Sequence, residues 1–223
     1  MASDGFVEVF YSNGEAISSP LSGDLVDALV ESIEVGCVIA PTETVYGVIA
    51  KATLTGLGTI SEAKGRSVDQ LPPVLISGID VIEGEYYFNS SIQAEKTQLL
   101  IDNFWPGLLT IVFPSREGAK LPSSNGSVAV RHSPNRYLAE VSRRVGPLYA
   151  SSANITGAPT IRGAEDLSYG DGLVLLSRVG RAYCTIEPFD SLPSTILEVL
   201  ADGSWICHRE GAISIDAIAN LLQ

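Results

Sequence analysis

The chain is poor in the residues on which several common kinds of site depend. Three cysteines in 223 residues, none in a C-x-x-C pair, are too few and too scattered for a disulfide framework or a cysteine zinc site. Only two histidines, His132 and His208, are present, which argues against a Ser-His-Asp hydrolase or a multi-histidine metal site. The phosphate-loop pattern G-x-x-x-x-G-K-[ST] and the nucleophile-elbow pattern G-x-S-x-G are both absent.

Basic residues are also scarce. Lys and Arg number 14 against 26 Asp and Glu, so the formal net charge is -12, and no basic residue precedes Lys51. Proteins that bind nucleic acid or anionic membranes through their whole surface normally carry the opposite sign, because phosphate neutralisation supplies most of that affinity. The charge balance therefore argues against a whole-surface reader of nucleic acid.

Long apolar runs and targeting signals are absent too. The N-terminus, MASDGFVEVF, has neither the basic region nor the apolar region of a signal peptide, and no stretch approaches 18 uninterrupted apolar residues. Together with the low cysteine content, this predicts a soluble protein of a reducing, cytoplasmic compartment with no membrane association.

The remaining composition is that of a folded protein. Hydrophobic residues make up 45% and charged residues 18% of the chain, which is enough apolar material for a large core. Because 223 residues lie near the upper end of what one core supports, we expect a single domain over 1–223, with about 1–21 as an N-terminal extension or edge strand.

Helical and strand-like patterns alternate along the chain. Apolar residues recur at helical spacing in 24–35, about 56–64, about 91–103, 135–145 and 214–222. Short apolar runs typical of buried strands occur at 37–40, 73–77, 108–113, 127–131, 147–151, 173–177, 194–200 and 204–208. This alternation predicts an α/β domain with a mixed sheet, and 155–172 is the best candidate for a long surface loop.

Polar residues follow or precede several of these apolar runs, and each group alone has a structural interpretation. Lys64 and Arg66, for example, could simply complement the dipole of the preceding helix. Taken together, the groups contain four cations and four neutral donors: Lys64, Arg66, Arg131, Arg209, Thr42, Ser152, Asn154 and Ser194. With no evident nucleophile or acid/base pair, this set favours holding a highly anionic ligand in line for a displacement.

The order of these motifs resembles a known family. PTETVYG, AKGR, FWPGLLT, SVAVR, SSANITG, PSTI and REGAI follow one another from about residue 22 to the C-terminus, as in the YrdC/Sua5 family of L-threonylcarbamoyladenylate synthases. The resemblance implies a twisted mixed β-sheet with flanking helices around a concave cavity. It also implies condensation of L-threonine, bicarbonate or CO2, and ATP to threonylcarbamoyl-AMP and pyrophosphate. Separate transferase proteins would then use that product to make t6A37 in tRNA, and the synthase itself would bind tRNA only indirectly or weakly.

The resemblance also implies roles for individual residues. On the amino-acid side it places Thr42, Arg131 and Ser194, with Arg131 on the threonine carboxylate. On the ATP side it places Lys64, Arg66, Ser127, Ser152, Asn154, Thr160 and Arg209. The threonine amine would capture CO2 as a carbamate, whose oxygen attacks the α-phosphorus, and Mg2+ would accompany the triphosphate. No single catalytic residue is implied; Lys64 and Arg66 act by positioning and charge stabilisation.

The chain departs from the family pattern in one segment, and two other functions stay open. Many members follow the K-x-R pair with Pro and then a Lys-Pro-Leu or Asn-Pro-Leu stretch, whereas this chain has Ser67 and then Gln70, Leu71, Pro72 and Pro73. The first alternative is an RNA-binding or ribosome-maturation module without nucleotide chemistry. The second is a paralogue that uses another amine acceptor.

Overall fold

One mixed β-sheet of eleven strands dominates the computed structural model, which describes residues 6–65, 71–187 and 191–223. The strands are β1 Phe6–Ser12, β2 Glu15–Pro20, β3 Cys37–Pro41, β4 Tyr46–Lys51, β5 Val74–Ile76, β6 Leu109–Pro114, β7 Ser127–His132, β8 Leu148–Ser152, β9 Arg181–Thr185, β10 Thr195–Val199 and β11 Trp205–Arg209. Their order across the sheet is β11-β10-β6-β7-β5-β8-β4-β3-β9-β1-β2. Three neighbouring pairs are parallel (β10 with β6, β5 with β7, β3 with β9) and the other pairs are antiparallel.

Within the described residues, six α-helices flank the sheet: α1 Leu25–Val35, α2 Leu54–Lys64, α3 Ser91–Phe104, α4 Arg136–Val145, α5 Gly170–Val179 and α6 Ile215–Leu221. Five of them confirm the helices predicted from apolar periodicity, and Ser214 caps α6. The cap of α1 is Asp24, whose side chain accepts a hydrogen bond from the Val26 N–H at 2.8 Å. None of the helices in the described ranges has the length and apolarity needed to cross a bilayer.

Alternation along the strands divides the core between the two faces of the sheet. Val38 of β3 packs with apolar residues of α1 and α4, such as Leu29 and Leu138, on one face. Its neighbour Ile39 belongs to the larger cluster on the other face, which α2, α3, α5 and α6 cover. Because successive side chains of a strand point to opposite faces, both faces are buried. The expected α/β class, a twisted mixed sheet with flanking helices, is confirmed.

Some of the element predictions were wrong. The run 173–177, expected to be a strand, lies inside α5, where Leu175 and Leu176 are fully buried. A short apolar run has the same appearance in a buried strand and in a buried helix, so periodicity could not separate the two. The stretch 155–172 is not simply a surface loop, because Ile161 and Leu167 are buried and its last residues begin α5. Strands β4 and β9 were not predicted. The described part of 1–21, expected to be an N-terminal extension or edge strand, forms β1 and β2, and β2 is an edge strand.

Candidate functional site

A cavity of about 230 Å³ lies on the sheet face that also carries α1 and α4. The strand residues Gly47, Ala150, Ser152, Arg131 and Ile196 line it from that face, since side chains two residues apart on a strand share a face. Ser151 of β8 and Ser194, just before β10, also line it. The β3–β4 turn adds Thr42, Thr44 and Val45 to the wall, and the segment before β5 adds Leu71, Pro72 and Pro73. Arg131 was expected at the end of the strand 127–131 and Ser194 at the start of the strand 194–200; Arg131 reaches the cavity from within β7, and Ser194 from the residue before β10.

A buried ion pair fixes the position of Arg131. Its Nε lies 2.5 Å from Oε1 of Glu43, and the two side chains are only 5% and 7% exposed. The second carboxylate oxygen of Glu43 accepts a hydrogen bond from the Ser133 hydroxyl at 2.6 Å. Within the described ranges, no residue accepts a hydrogen bond from the two terminal nitrogens of Arg131. These nitrogens are therefore available to a ligand carboxylate in the cavity, for which the guanidinium fork is well suited.

The Thr42 hydroxyl is committed to the β3–β4 turn. It donates to the Val45 carbonyl at 2.6 Å and accepts from the backbone N–H groups of Thr44 and Val45 at 3.1 and 3.2 Å. The Thr44 hydroxyl lies 3.0 Å from it and lines the same cavity. With the proton and both lone pairs of Thr42 in use, Thr44 presents the more available oxygen to a ligand.

Ser194 and Arg209 form the opposite wall of this cavity. The backbone carbonyl of Ser194 accepts hydrogen bonds from Nε and Nη2 of Arg209 at 3.0 and 2.8 Å, and its hydroxyl lies 3.1 Å from Nη2 and 2.9 Å from the Thr110 hydroxyl. Burial, and then the nearby charge of Arg131, lower the pKa of the Arg209 guanidinium. Gly211 allows this arrangement, because a Cβ there would lie 2.1 Å from the Pro193 carbonyl oxygen.

A second cavity, of about 730 Å³, adjoins the first. Thr160 lines it, together with Arg162, Tyr169 and the start of α5. Two carboxylates, Asp166 and Asp171, also line it. Mg2+ in nucleotide sites is commonly held by one or two carboxylates together with the phosphates, so these two acids fit a metal that arrives with ATP. The described ranges hold no group of three or more potential metal ligands.

Lys64 and the S-A-N segment form a connected unit behind the two cavities. Lys64 is 2% exposed at the end of α2, and its ammonium donates to the Ser152 carbonyl and, at 3.2 Å, to Oδ1 of Asn154. The same Oδ1 accepts from the Ser152 hydroxyl at 2.6 Å, and Nδ2 of Asn154 donates to the Ala158 carbonyl at 2.9 Å. Lys64 thus holds the loop that carries Ser152 to both cavities.

Ser127 stands apart from this cluster. Arg66 lies outside the described residues. Ser127 begins β7, four residues and therefore roughly 13 Å along the strand from Arg131, and its hydroxyl donates to the Ser124 carbonyl at 3.1 Å. It lines neither of the two cavities.

Sequence reasoning missed four residues that build the site: Glu43, Thr44, Thr110 and Ser133. Glu43 and Thr44 lie in the PTETVYG motif. The position of an acid between two threonine hydroxyls could have indicated that they belong to the site. Thr110 contacts Ser194 from a neighbouring strand, and Ser133 contacts Glu43 across 90 residues of sequence. No local pattern could have predicted those two contacts.

Comparison with known proteins assigns the family. The Sua5/YciO/YrdC family model, described as "Telomere recombination", matches residues 33–211, and the chain belongs to this family. The match includes the turn with Thr42, the loop with Asn154 and the strand that ends at Arg209. It therefore spans both cavities.

Individual relatives carry functional names. Threonylcarbamoyl-AMP synthase of Bacillus subtilis (strain 168) is 35% identical over 147 residues, covering 64% of this chain and 41% of that protein. The protein of the same name from Enterobacter sp. (strain 638) is 30% identical over 159 residues, covering 68% of this chain and 83% of that one. Among solved structures, Pyrococcus abyssi Sua5 complexed with L-threonine superposes with a TM-score of 0.71 at 25% identity, covering 88% of this chain and 55% of that one.

Proposed function

We propose that this protein is a threonylcarbamoyl-AMP synthase that condenses L-threonine, bicarbonate or CO2, and ATP, and releases pyrophosphate. The observation that carries this proposal is the pair of adjoining cavities, one small with a buried arginine and one large enough for a nucleotide. Family membership, the names of the relatives and the threonine complex of a structural neighbour support the same reaction.

The small cavity has the chemistry needed for an amino acid. The open nitrogens of Arg131 would hold the carboxylate, and the hydroxyl oxygen of Thr44 is an acceptor for an amino N–H. Apolar atoms of Pro73, Ala150 and Ile196 leave room for a small side chain. This end of the site would therefore orient threonine with its amine free to take up CO2.

The large cavity would hold ATP. Ser152, Thr160 and Arg209 line it, and Lys64 and Asn154 keep the Ser152 loop in place. Mg2+ would neutralise phosphate charge beside Asp166 and Asp171 when bound with the nucleotide. The carbamate oxygen then attacks the α-phosphorus in line, and the protein contributes positioning and electrostatic stabilisation.

The product would be passed on to other proteins. Threonylcarbamoyl-AMP would feed t6A transferase proteins that modify adenosine 37 of tRNA, and a chain of net charge -12 is suited to leave tRNA binding to them. Since thiols are few and unpaired, we place the reaction in the cytoplasm.

Product mass spectrometry tests this function. The purified protein with ATP, Mg2+, L-threonine and bicarbonate is expected to form threonylcarbamoyl-AMP, and omission of threonine or bicarbonate should abolish the product. Parallel reactions with L-serine and carbamoyl phosphate test another amine acceptor or carbamoyl donor. Salt-sensitive RNA binding with no nucleotide turnover would overturn the proposal in favour of an RNA-binding module.

A further inference from the structure

The two cavities share part of their walls. Four described residues line both of them: Val45, Ser152, Pro193 and Arg209. Within this shared set Arg209 carries the one charged side chain, since Arg131 lines only the small cavity and Arg162 only the large one. The boundary between the two compartments therefore has a cation of its own.

The guanidinium of Arg209 is fixed on one side and open on the other. Nε and Nη2 are both held by the Ser194 carbonyl, at 3.0 and 2.8 Å. No residue in the described ranges accepts a hydrogen bond from Nη1. Its fixed partner is a neutral carbonyl, whereas Arg131 is paired with the carboxylate of Glu43. Arg209 thus keeps its full charge for whatever anion lies at the boundary.

The proposed reaction requires two anions to meet at such a boundary. If threonine occupies the small cavity and ATP the large one, the carbamate oxygen and the α-phosphate must come together where the cavities join. A new bond forms between the carbamate oxygen and the α-phosphorus. The bond from that phosphorus to the oxygen bridging to the β-phosphate breaks, and pyrophosphate leaves with the electron pair. Negative charge builds up around the phosphorus during this step, and a fixed cation there stabilises the transition state more than either substrate alone.

We infer that Arg209 is a catalytic residue, touching the carbamate and the α-phosphate during transfer, and not only a residue that helps to bind ATP. This inference rests on the proposed function. Arg209 would contact the reacting groups of both cavities, and Ser194 would position its guanidinium.

Steady-state kinetics of three variants test the inference, with all three substrates varied. Arg209→Gln should lower kcat by about 100- to 1,000-fold at saturating substrates, as expected for loss of one fixed donor to the transition state. Arg209→Lys should lower kcat by a smaller factor, because an ammonium supplies the charge but not the fork geometry of a guanidinium. Arg162→Gln, which changes a cation of the large cavity only, should raise the KM for ATP more than it lowers kcat.

The possible outcomes separate the two proposals. If the wild-type protein forms no threonylcarbamoyl-AMP, the proposed function fails. If the wild-type protein is active but Arg209→Gln raises only the KM for ATP and keeps kcat, Arg209 is an ATP-binding residue and the inference is overturned. The Tm of each variant is measured as a control. If the Tm of Arg209→Gln is lowered, Arg209→Ala is assayed with added guanidinium, and restoration of kcat supports the inference. Failure of guanidinium to restore kcat in a folded Arg209→Ala protein also overturns it.

Discussion

Removal of the Glu43 carboxylate should expose the energetic role of the buried ion pair beneath the small cavity. In Glu43→Ala, the Arg131 guanidinium keeps its charge at 5% exposure and loses its counterion, and the Ser133 hydroxyl loses its acceptor. Breaking a buried pair in this way costs about 3 to 5 kcal/mol, because the remaining charge stays desolvated. For a domain of this size, such a loss lowers the Tm by roughly 6 to 20 °C. Urea denaturation followed by tryptophan fluorescence measures the change in the free energy of unfolding.

Two further variants make this prediction decisive. Glu34→Ala removes the acid of a partly exposed pair with Lys51 and should change the free energy of unfolding by less than about 1 kcal/mol. The double variant Glu43→Leu/Arg131→Met removes both buried charges and should recover most of the lost stability. If Glu43→Ala costs no more than Glu34→Ala, the claim that the pair is isolated from water is refuted.

Three other outcomes are expected. Gly211→Ala should destabilise the protein by about 1 to 3 kcal/mol and reduce activity, since its Cβ would clash with the Pro193 carbonyl at 2.1 Å; a melt and a product assay check both. Iodoacetamide should modify half-buried Cys207 before Cys37 and Cys184, which are buried, as peptide mapping of the native protein would show. Burial raises the pKa of Cys37 to about 11 and that of Cys184 to about 12, so the folded state holds protons that the unfolded state loses above pH 9. The free energy of unfolding should therefore fall as pH rises above 9, up to about 11 for Cys37 and about 12 for Cys184, by on the order of 1.4 kcal/mol per pH unit for each thiol within its range, and denaturation at pH 8, 9 and 10 tests the sign.

The sequence predicted elements well where a pattern was long or clearly bounded. Helices with a full apolar stripe, such as α4, were predicted to within one residue because four buried positions recur at helical spacing. The run 173–177 was misassigned because four consecutive apolar residues fit a buried strand equally well. Strand β2 is mostly exposed and pairs only with β1 among the described strands, so it has little apolar signature to detect.

The structure brings several of the predicted site residues together, and their individual contacts could not be predicted from the sequence. Arg131, Ser152, Ser194 and Arg209 come together around the two cavities, as a collection of cations and donors for an anionic ligand would require. Which of them face the ligand depends on tertiary contacts. Thr42 shows this most clearly, because its hydroxyl is used within its own turn.

The distribution of charge around the small cavity follows from the same contacts. Arg131 and Glu43 form a nearly neutral pair, so this end of the cavity can recognise a carboxylate by geometry without a large uncompensated field. Arg209 has no carboxylate partner within the described ranges, and it stands at the boundary with the large cavity. An acidic protein with an uncompensated cation at this point attracts anions to the place where two anionic groups would react. The net charge of -12 is therefore compatible with a site for anionic substrates. The net charge is summed over the whole protein, whereas the affinity of the site for anions depends on two arginines and their partners.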